Sequence, residues 1–225
     1  MNYHFDWTPI WAARGLIVEG LLMTIAVSAV SLAFSTVIGL VVGGAATAGS
    51  RAVRGLALLF TETMRNIPLL IHMYIWYMAL AFLRLPAFSC AVLGLSLYSG
   101  AYVAEVVRAG IGAVGRGQMQ SALATGLTRF QAMRYIVYPQ ALRMIAPSLA
   151  SLFSQLIKDS SLASVIAVGE LTYQAGAIDG QTFRTFEVYI TISLIYLVLV
   201  TAASQLVLLI PGSRSDLAAG RFADA

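Results

Sequence analysis

The stretch VYITISLIYLVLVTAASQLVLLI, which occupies residues 188–210, contains no charged residue. A helix needs about 20 consecutive apolar residues to cross the hydrocarbon core of a lipid bilayer. This stretch is long enough to do so, and an uninterrupted apolar run of that length is typical of a transmembrane helix. It therefore predicts that the chain is an integral membrane protein.

Composition supports the same fold class for the whole chain. Of its 225 residues, 59% are hydrophobic and only 11% are charged, with a mean hydropathy of +0.83. Soluble domains carry about a quarter of their residues as charges. Four further stretches are mainly apolar over a comparable length: 20–42, 53–82, 88–107 and 146–168. The sequence thus predicts an all-α integral membrane protein with about five transmembrane helices.

The distribution of arginine predicts how these helices are oriented. One set of flanks holds nine arginines: Arg51, Arg54, Arg108, Arg116, Arg129, Arg134, Arg143, Arg214 and Arg221. The opposite set holds three: Arg14, Arg84 and Arg184. Because cytoplasmic loops are enriched in basic residues, we expect the first set to lie in the cytoplasm. The arginines are scattered between apolar runs, which is not the pattern of a nucleic-acid-binding surface.

This orientation divides the chain into three parts. We expect an extracytoplasmic N-terminal segment at residues 1–19, a membrane domain at 20–210 and a cytoplasmic tail at 211–225. No basic residue precedes Arg14, whereas cleavable signal peptides begin with a positive charge, so we expect the N-terminal segment to be mature sequence.

One long segment between the apolar stretches, residues 112–139, is predicted to form a cytoplasmic pair of short helices. Residues 118–125 favour a helix that ends at Gly126 as a left-handed cap. Thr128 then begins a second helix, and Gln131 three positions later completes a capping box. Pro139 is predicted to mark the turn back toward the membrane. A side chain in place of Gly126 is expected to clash at the sharp reversal between the helices.

This segment resembles the cytoplasmic loop of ABC-importer permeases, whose pattern is E-A-A, three residues, G, nine residues and I-x-L-P. Both spacings are present in the matching residues, which are Gln120, Ser121, Ala122, Gly126, Ile136, Val137, Tyr138 and Pro139. The departures from the pattern are Gln120, Ser121 and Tyr138.

Further motifs resemble one branch of that family, the permeases of polar amino-acid importers of the histidine, glutamine and glutamate type. They are MRNIPLL at residues 64–70, GAYVAEVVRAGI at 100–111, PQALR at 139–143, KDSSLASVI at 158–166 and GELT at 169–172. The resemblance covers residues 20–210 and implies the type I transmembrane fold. It also implies that the chain is a permease subunit in the cytoplasmic (inner) membrane of a bacterium.

The same resemblance implies partners and coupling residues. The expected partners are a cytoplasmic ABC ATPase dimer, a second permease subunit that is identical or related, an extracytoplasmic solute-binding protein and membrane lipid. The residues implied in ATPase coupling are Gln120, Ala122, Gly126, Ile136 and Pro139. A phosphate-binding loop requires a lysine after glycine, but the only lysine, Lys158, follows Ile157. We therefore expect no cofactor in this chain, with ATP and magnesium bound by the ATPase.

Polar residues inside the predicted spans are candidates for the solute pathway, because ionisable groups at membrane depth are costly unless they are paired or hydrated. One helical face carries Ser148, Ser151, Gln155, Lys158 and Asp159. The candidate pathway residues are Arg65, Asn66, Gln155, Lys158, Asp159, Ser160 and Ser161. The alternative is that these charges neutralise partners on other helices, and the spacings also allow the ion pairs Glu62–Arg65 and Glu105–Arg108.

A free amino acid presents a carboxylate and an ammonium group, so Lys158 or Arg65 is expected to face the first and Asp159 the second. The apolar Leu152, two turns before Asp159, argues against a cationic side chain on the solute. The predicted solute is therefore glutamate or aspartate, followed by glutamine. An alternative is a secondary transporter or channel without an ATPase. An intramembrane enzyme is disfavoured, because one cysteine and two histidines supply neither a catalytic pair nor a metal site.

Overall fold

The computed structural model describes residues 3–208, apart from the side chains of residue 116 and of residues 206–208. This part of the chain is helical and contains no strand. The α-helices are α1 (Thr8–Ala12), α2 (Arg14–Ala45), α3 (Arg51–Asn66), α4 (Leu69–Ala79), α5 (Ala87–Ala113), α6 (Arg116–Ala124), α7 (Arg129–Ala132), α8 (Tyr138–Asp159), α9 (Leu171–Thr182) and α10 (Thr185–Leu208). The end of the fifth predicted span, at Ile210, and the predicted tail lie outside the described residues.

Within residues 3–208, three helices are long and apolar enough to cross a membrane: α2, α5 and the Thr185–Gln205 part of α10. They correspond to the first, third and fifth predicted spans. Helix α5 lies at the centre of the fold. Of its most apolar 18-residue stretch 67% is buried, compared with 28% of the corresponding stretch in α2 and 17% of that in α10. Helices α2, α3, α4 and α8 all pack against it. The outer faces of α2 and α10 are therefore the ones available to lipid.

Small residues allow α2 to lie directly against α5. Gly39 and Gly43 face this contact, and a Cβ atom on Gly43 would come within 2.6 Å of the main-chain oxygen of Ala104. The side chains of Val103 and Val107 fill the space that the two glycines leave. Close contact through small residues is a common means of helix association in membranes, where dispersion contacts replace the hydrophobic effect.

The second predicted span is not one helix but two, α3 and α4, separated at Ile67 and Pro68. Proline has no N–H group, so it cannot donate to the carbonyl of Met64 four residues earlier. The Nε2 atom of His72 lies 3.1 Å from that carbonyl oxygen. Because a carbonyl only accepts, Nε2 carries the hydrogen and donates it. His72 is almost fully buried and thus supplies the hydrogen bond that the proline removes.

The fourth predicted span also differs from the structure. Helix α8 begins at Tyr138 and ends at Asp159, and a 3₁₀ segment, Ser160–Ile166, follows it. The sequence did not predict α9, which is only 12 residues long. Its start is fixed by Glu170, whose fully buried carboxylate accepts from the N–H of Tyr173 at 2.7 Å. An acceptor at this position satisfies N–H groups that a helix start leaves without partners.

The prediction that Pro139 marks a turn toward the membrane is wrong. Helical backbone continues from α7 through a π-helical segment, Met133–Val137, into α8. Pro139 lies in the first turn of α8. Proline has no N–H group. It is tolerated there because the wider π-helical turn before it leaves no regular helical hydrogen bond for residue 139 to donate. Helix α7, the π-helical segment and α8 therefore form one continuous stretch of helical backbone.

The N-terminal segment is attached to the start of α10. The main-chain N–H of Asp6 donates to Glu187 Oε1 at 2.9 Å, and Arg184 donates to the carbonyl of His4 at 2.9 Å. The hydroxyl of Tyr3 also contacts the Glu187 carboxylate. The N–H of Thr8 donates to the Asp6 carboxylate, which lowers the pKa of that group. These bonds hold residues 3–8 across the end of the helical bundle.

Candidate functional site

The polar face of α8 that the sequence predicted is present, and other helices of this chain leave it largely uncovered. Ser148, Ser151, Gln155 and Lys158 are exposed, and Asp159 is half-buried. A polar and charged face of a membrane helix is unfavourable against lipid. It is therefore suited to face a water-filled path or another polar surface.

A cavity of about 210 Å³ lies between this face and α5. Its lining residues are Tyr98, Ser99, Tyr102, Leu152, Gln155 and Asp159. Within it, the Gln155 amide donates to Asp159 Oδ1 at 2.7 Å, and the hydroxyls of Tyr98 and Tyr102 lie 3.3 Å apart. The cavity thus combines one carboxylate with an amide and three hydroxyls, which are groups that bind a small polar solute.

Sequence reasoning identified the α8 side of this cavity but missed the α5 side. Tyr98, Ser99 and Tyr102 lie within one turn of a helix that is otherwise rich in small apolar residues. Residues three and four apart share a helical face. The signal that identifies them is therefore the clustering of hydroxyl groups on one face of a span.

Lys158 and Asp159 line different cavities, although they are neighbours in sequence. Lys158 and Ser161 contribute to a second cavity of about 260 Å³, which is also lined by Thr172, Tyr189, Ile192, Ser193 and Tyr196. Successive residues of a helix point about 100° apart, which is enough to direct the two side chains of the polar face into separate cavities. Ser160 lines neither cavity, because it is buried and donates to the carbonyl of Ile157 at 2.7 Å.

Arg65 belongs to a charged cluster beside the first cavity. Its Nη1 atom lies 3.5 Å from Glu105 Oε2, and its guanidinium lies 5.4 Å from the centre of the Tyr102 ring. Arg108 also binds Glu105, with Nε at 3.1 Å from Oε2, as the spacing along α5 predicted. Arg65 therefore contacts the outer side of a tyrosine that lines the cavity.

The predicted ion pair between Glu62 and Arg65 is absent from the described contacts. Asn66 instead donates to Glu62 at 3.3 Å, and Arg65 reaches Glu105 on the neighbouring helix. The packing of α3 against α5 decides this pairing. Spacing along one helix shows which residues share a face, but it does not show which neighbour lies closer.

The pair of short helices α6 and α7 has the predicted hairpin form. After α6, Gly126 adopts a left-handed conformation with φ of +88°, and its N–H bonds to the carbonyl of Leu123 at 3.0 Å. The N–H of Leu127 bonds to the carbonyl of Ala122 at 3.2 Å, which completes a Schellman motif. A Cβ atom at Gly126 would meet nothing within 4 Å. The expected clash is therefore wrong, and glycine is favoured because of its backbone conformation.

The second helix of the hairpin begins with the predicted capping box. Gln131 N–H donates to Thr128 Oγ1 at 3.3 Å, and Thr128 N–H donates to Gln131 Oε1 at 2.8 Å. Ala122 and Ala132 are buried between the helices, whereas Gln120 and Pro139 are exposed and Ile136 is half-buried. The hairpin thus projects outward from the helical bundle. It is joined to α8 by continuous helical backbone.

Comparison with known proteins agrees with this architecture. Residues 35–211 match the family described as binding-protein-dependent transport system inner membrane component. The chain is 38% identical over 204 residues to the glutamine transport system permease protein GlnP of Escherichia coli (strain K12), covering 89% of this chain and 93% of that protein. It is 38% identical over 183 residues to the probable glutamine ABC transporter permease protein GlnM of Bacillus subtilis (strain 168), covering 80% and 85%.

A solved structure is similar over nearly the whole fold. The crystal structure of an amino acid ABC transporter with histidines superposes with a TM-score of 0.82 at 34% identity. The match covers 91% of this chain and 97% of that chain. Family membership favours the ATP-driven importer over the gradient-driven transporter or channel, and implies a separate ATPase, a binding protein and a second permease. This chain belongs to the binding-protein-dependent transport system inner membrane components and is the permease subunit of an amino-acid ABC importer.

Proposed function

We propose that the importer carries glutamine, with glutamate as the nearest alternative. The observation that carries this proposal is the cavity beside Asp159, whose described lining includes one carboxylate and no cation. The sequence favoured glutamate or aspartate because Lys158 and Arg65 were both counted as basic groups for the solute, in excess over Asp159. In the structure Arg65 is paired with Glu105. A neutral side chain matches such a cavity better than an anionic one, and two relatives at 38% identity are named as glutamine permeases.

Each part of the solute has a complementary group in this proposal. The Asp159 carboxylate accepts from the α-ammonium, because a buried charge needs an opposite charge or several hydrogen bonds. The hydroxyls of Tyr98, Ser99 and Tyr102 donate to the carboxylate or to the side-chain amide. A second polar region lies at the end of α8 and consists of Lys158, Ser161 and the hydroxyls around them. Asn66 and the charged cluster flank the path.

A second permease subunit, identical or related, completes the path. The exposed polar face of α8 is the surface that it covers, since two such faces together enclose a polar channel away from lipid. The N-terminus lies outside, where the binding protein delivers the solute. The hairpin of α6 and α7, with Gln120, Ala122, Gly126, Ile136 and Pro139, docks on the cytoplasmic ATPase dimer. Its continuity with α8 transmits movement of the ATPase to the helix that carries Asp159.

The test is ATPase stimulation of the complete complex, reconstituted in liposomes with its binding protein loaded with one amino acid at a time. We expect glutamine to stimulate most and Asp159→Asn to reduce glutamine uptake by about 10-fold or more, because one charged hydrogen bond is worth about 1.5–3 kcal/mol. The matched control is Asp179→Asn, which removes a carboxylate bonded to Thr185 away from both cavities. Strongest stimulation by arginine or lysine, or equal loss in both variants, contradicts the proposal.

A further inference from the structure

A third cavity lies beside the hairpin, and the transport path proposed above does not use it. Its volume is about 940 Å³, more than four times that of the cavity beside Asp159. Its walls come from the ends of α2 and α5 and from the α7 region, including Thr47, Ile111, Arg129 and Arg134. Because α2 and α5 are membrane-spanning helices that end here, the cavity lies at the boundary of the bilayer.

The charge of this cavity is positive. Arg129 and Arg134 line it, both are exposed, and neither forms an ion pair with any described residue. The sequence contains no acidic residue between Glu19 and Glu62 or between Glu105 and Asp159. These two stretches supply every wall of the cavity. The cavity is therefore lined, among the described residues, by two arginines and by no carboxylate.

The rest of the lining is largely apolar. Ile111, Val114, Met119 and Met133 contribute to it, and the Phe130 side chain at its edge is 74% exposed. A large exposed aromatic residue next to unpaired arginines is typical of the interfacial region of membranes. A small soluble anion would form no favourable contact with this apolar lining. A molecule with an anionic head and a hydrocarbon part matches both features.

We propose that this cavity binds an anionic phospholipid of the surrounding bilayer. Arg129 and Arg134 bind the phosphate of the headgroup, since the guanidinium group donates two hydrogen bonds to neighbouring phosphate oxygens. The upper part of an acyl chain lies against Met133 and Phe130. Basic pockets between transmembrane helices at the cytoplasmic side are suited to such headgroups. The lipid then contacts both the hairpin and the ends of α2 and α5, which makes coupling sensitive to the lipid composition.

The test measures lipid retention on the purified complex with its ATPase by native mass spectrometry, in detergent with added phosphatidylglycerol or phosphatidylcholine. We expect the wild-type complex to retain phosphatidylglycerol preferentially. Arg129→Gln and Arg134→Gln should each weaken this retention about 5-fold, and the double variant about 25-fold, because each basic residue near an anionic lipid surface contributes a similar amount. Gly112→Leu keeps both charges but fills the cavity, since a Cβ atom there meets nothing within 4 Å, and should also lower retention.

The matched control is Arg143→Gln, which removes an exposed arginine of α8 that does not line the cavity. It should leave retention unchanged. Equal loss in this control, unchanged retention in the double variant, or equal displacement of the lipid by free glycerol phosphate overturns the proposal. If an arginine variant loses the ATPase but retains the lipid, the proposal is also overturned, because the cavity then belongs to the surface that docks the ATPase. Retention does not depend on uptake, so failure of the proposed solute leaves this result unaffected.

Discussion

Arg65 on α3 and Glu105 on α5 form an ion pair, with 3.5 Å between Nη1 and Oε2. The pair lies immediately before the helix break at Pro68 and beside Tyr102, over whose ring the guanidinium is placed. It therefore connects the end of α3 to the wall of the cavity that contains Asp159. Both side chains are about 30% exposed, so the pair contributes little to stability, and its role is to join α3 to α5 beside the Tyr102 ring.

A double-mutant cycle measures this connection. Arg65→Gln and Glu105→Gln should each lower uptake, and the double variant should lose less than the sum of the two single losses. Contacting charged residues usually show coupling energies of about 0.5–3 kcal/mol. Initial uptake rates in proteoliposomes provide the measurement, and Arg184→Gln, at the opposite end of the bundle, provides the control. Strictly additive losses would mean that the two residues act independently.

The conformation of Gly126 predicts a sharp difference between two substitutions. Gly126→Val should uncouple ATP hydrolysis from uptake or release the ATPase, because a β-branched residue is strongly disfavoured at φ of +88°. Gly126→Asn should retain most activity, because asparagine tolerates the left-handed region. Both variants should insert into the membrane normally. Co-purification of the ATPase and uptake per ATP hydrolysed are the measurements, and normal values for the valine variant contradict a coupling role for the hairpin.

Leu152 lines the cavity beside Asp159 and offers a test of selectivity. Leu152→Glu adds a second carboxylate, which should shift the preference of the importer toward arginine or lysine by about 10-fold, since nearby opposite charges at low dielectric attract strongly. Leu152→Gln has nearly the same size without the charge and should not produce this shift. Competition between radiolabelled glutamine and unlabelled arginine during uptake gives the comparison. An identical effect of both substitutions would place the cavity outside the solute path.

The predicted topology is open to direct measurement by cysteine labelling. A single cysteine at position 2 should react with an impermeant thiol reagent added to intact spheroplasts, whereas one at position 220 should not. An odd number of spans places the two ends on opposite sides, and the arginine distribution places the second end in the cytoplasm. A Cys90→Ala background removes the native thiol, which is buried in the apolar core. Permeabilised spheroplasts serve as the control, in which both positions should react. Equal labelling before permeabilisation contradicts an odd number of crossings.

The sequence by itself determined the fold class and the local features of the hairpin. Long apolar runs require helices in a bilayer, since every backbone group must bond within its own segment. The capping box of Thr128 and the left-handed Gly126 were predictable for the same reason, because each depends on residues only a few positions apart. The family was evident from motifs spread over the whole chain, and the comparisons confirmed it.

Tertiary packing decided what local spacing leaves open. Arg65 pairs with Glu105 instead of Glu62, because α3 lies against α5. Lys158 and Asp159 point into different cavities, and the hydroxyls of α5 complete the one beside Asp159. Helix α9 was not predicted from the sequence, because it is too short to cross a bilayer and its start depends on the buried N-cap residue Glu170. In each case the outcome depends on contacts between residues distant in sequence, which no local pattern encodes.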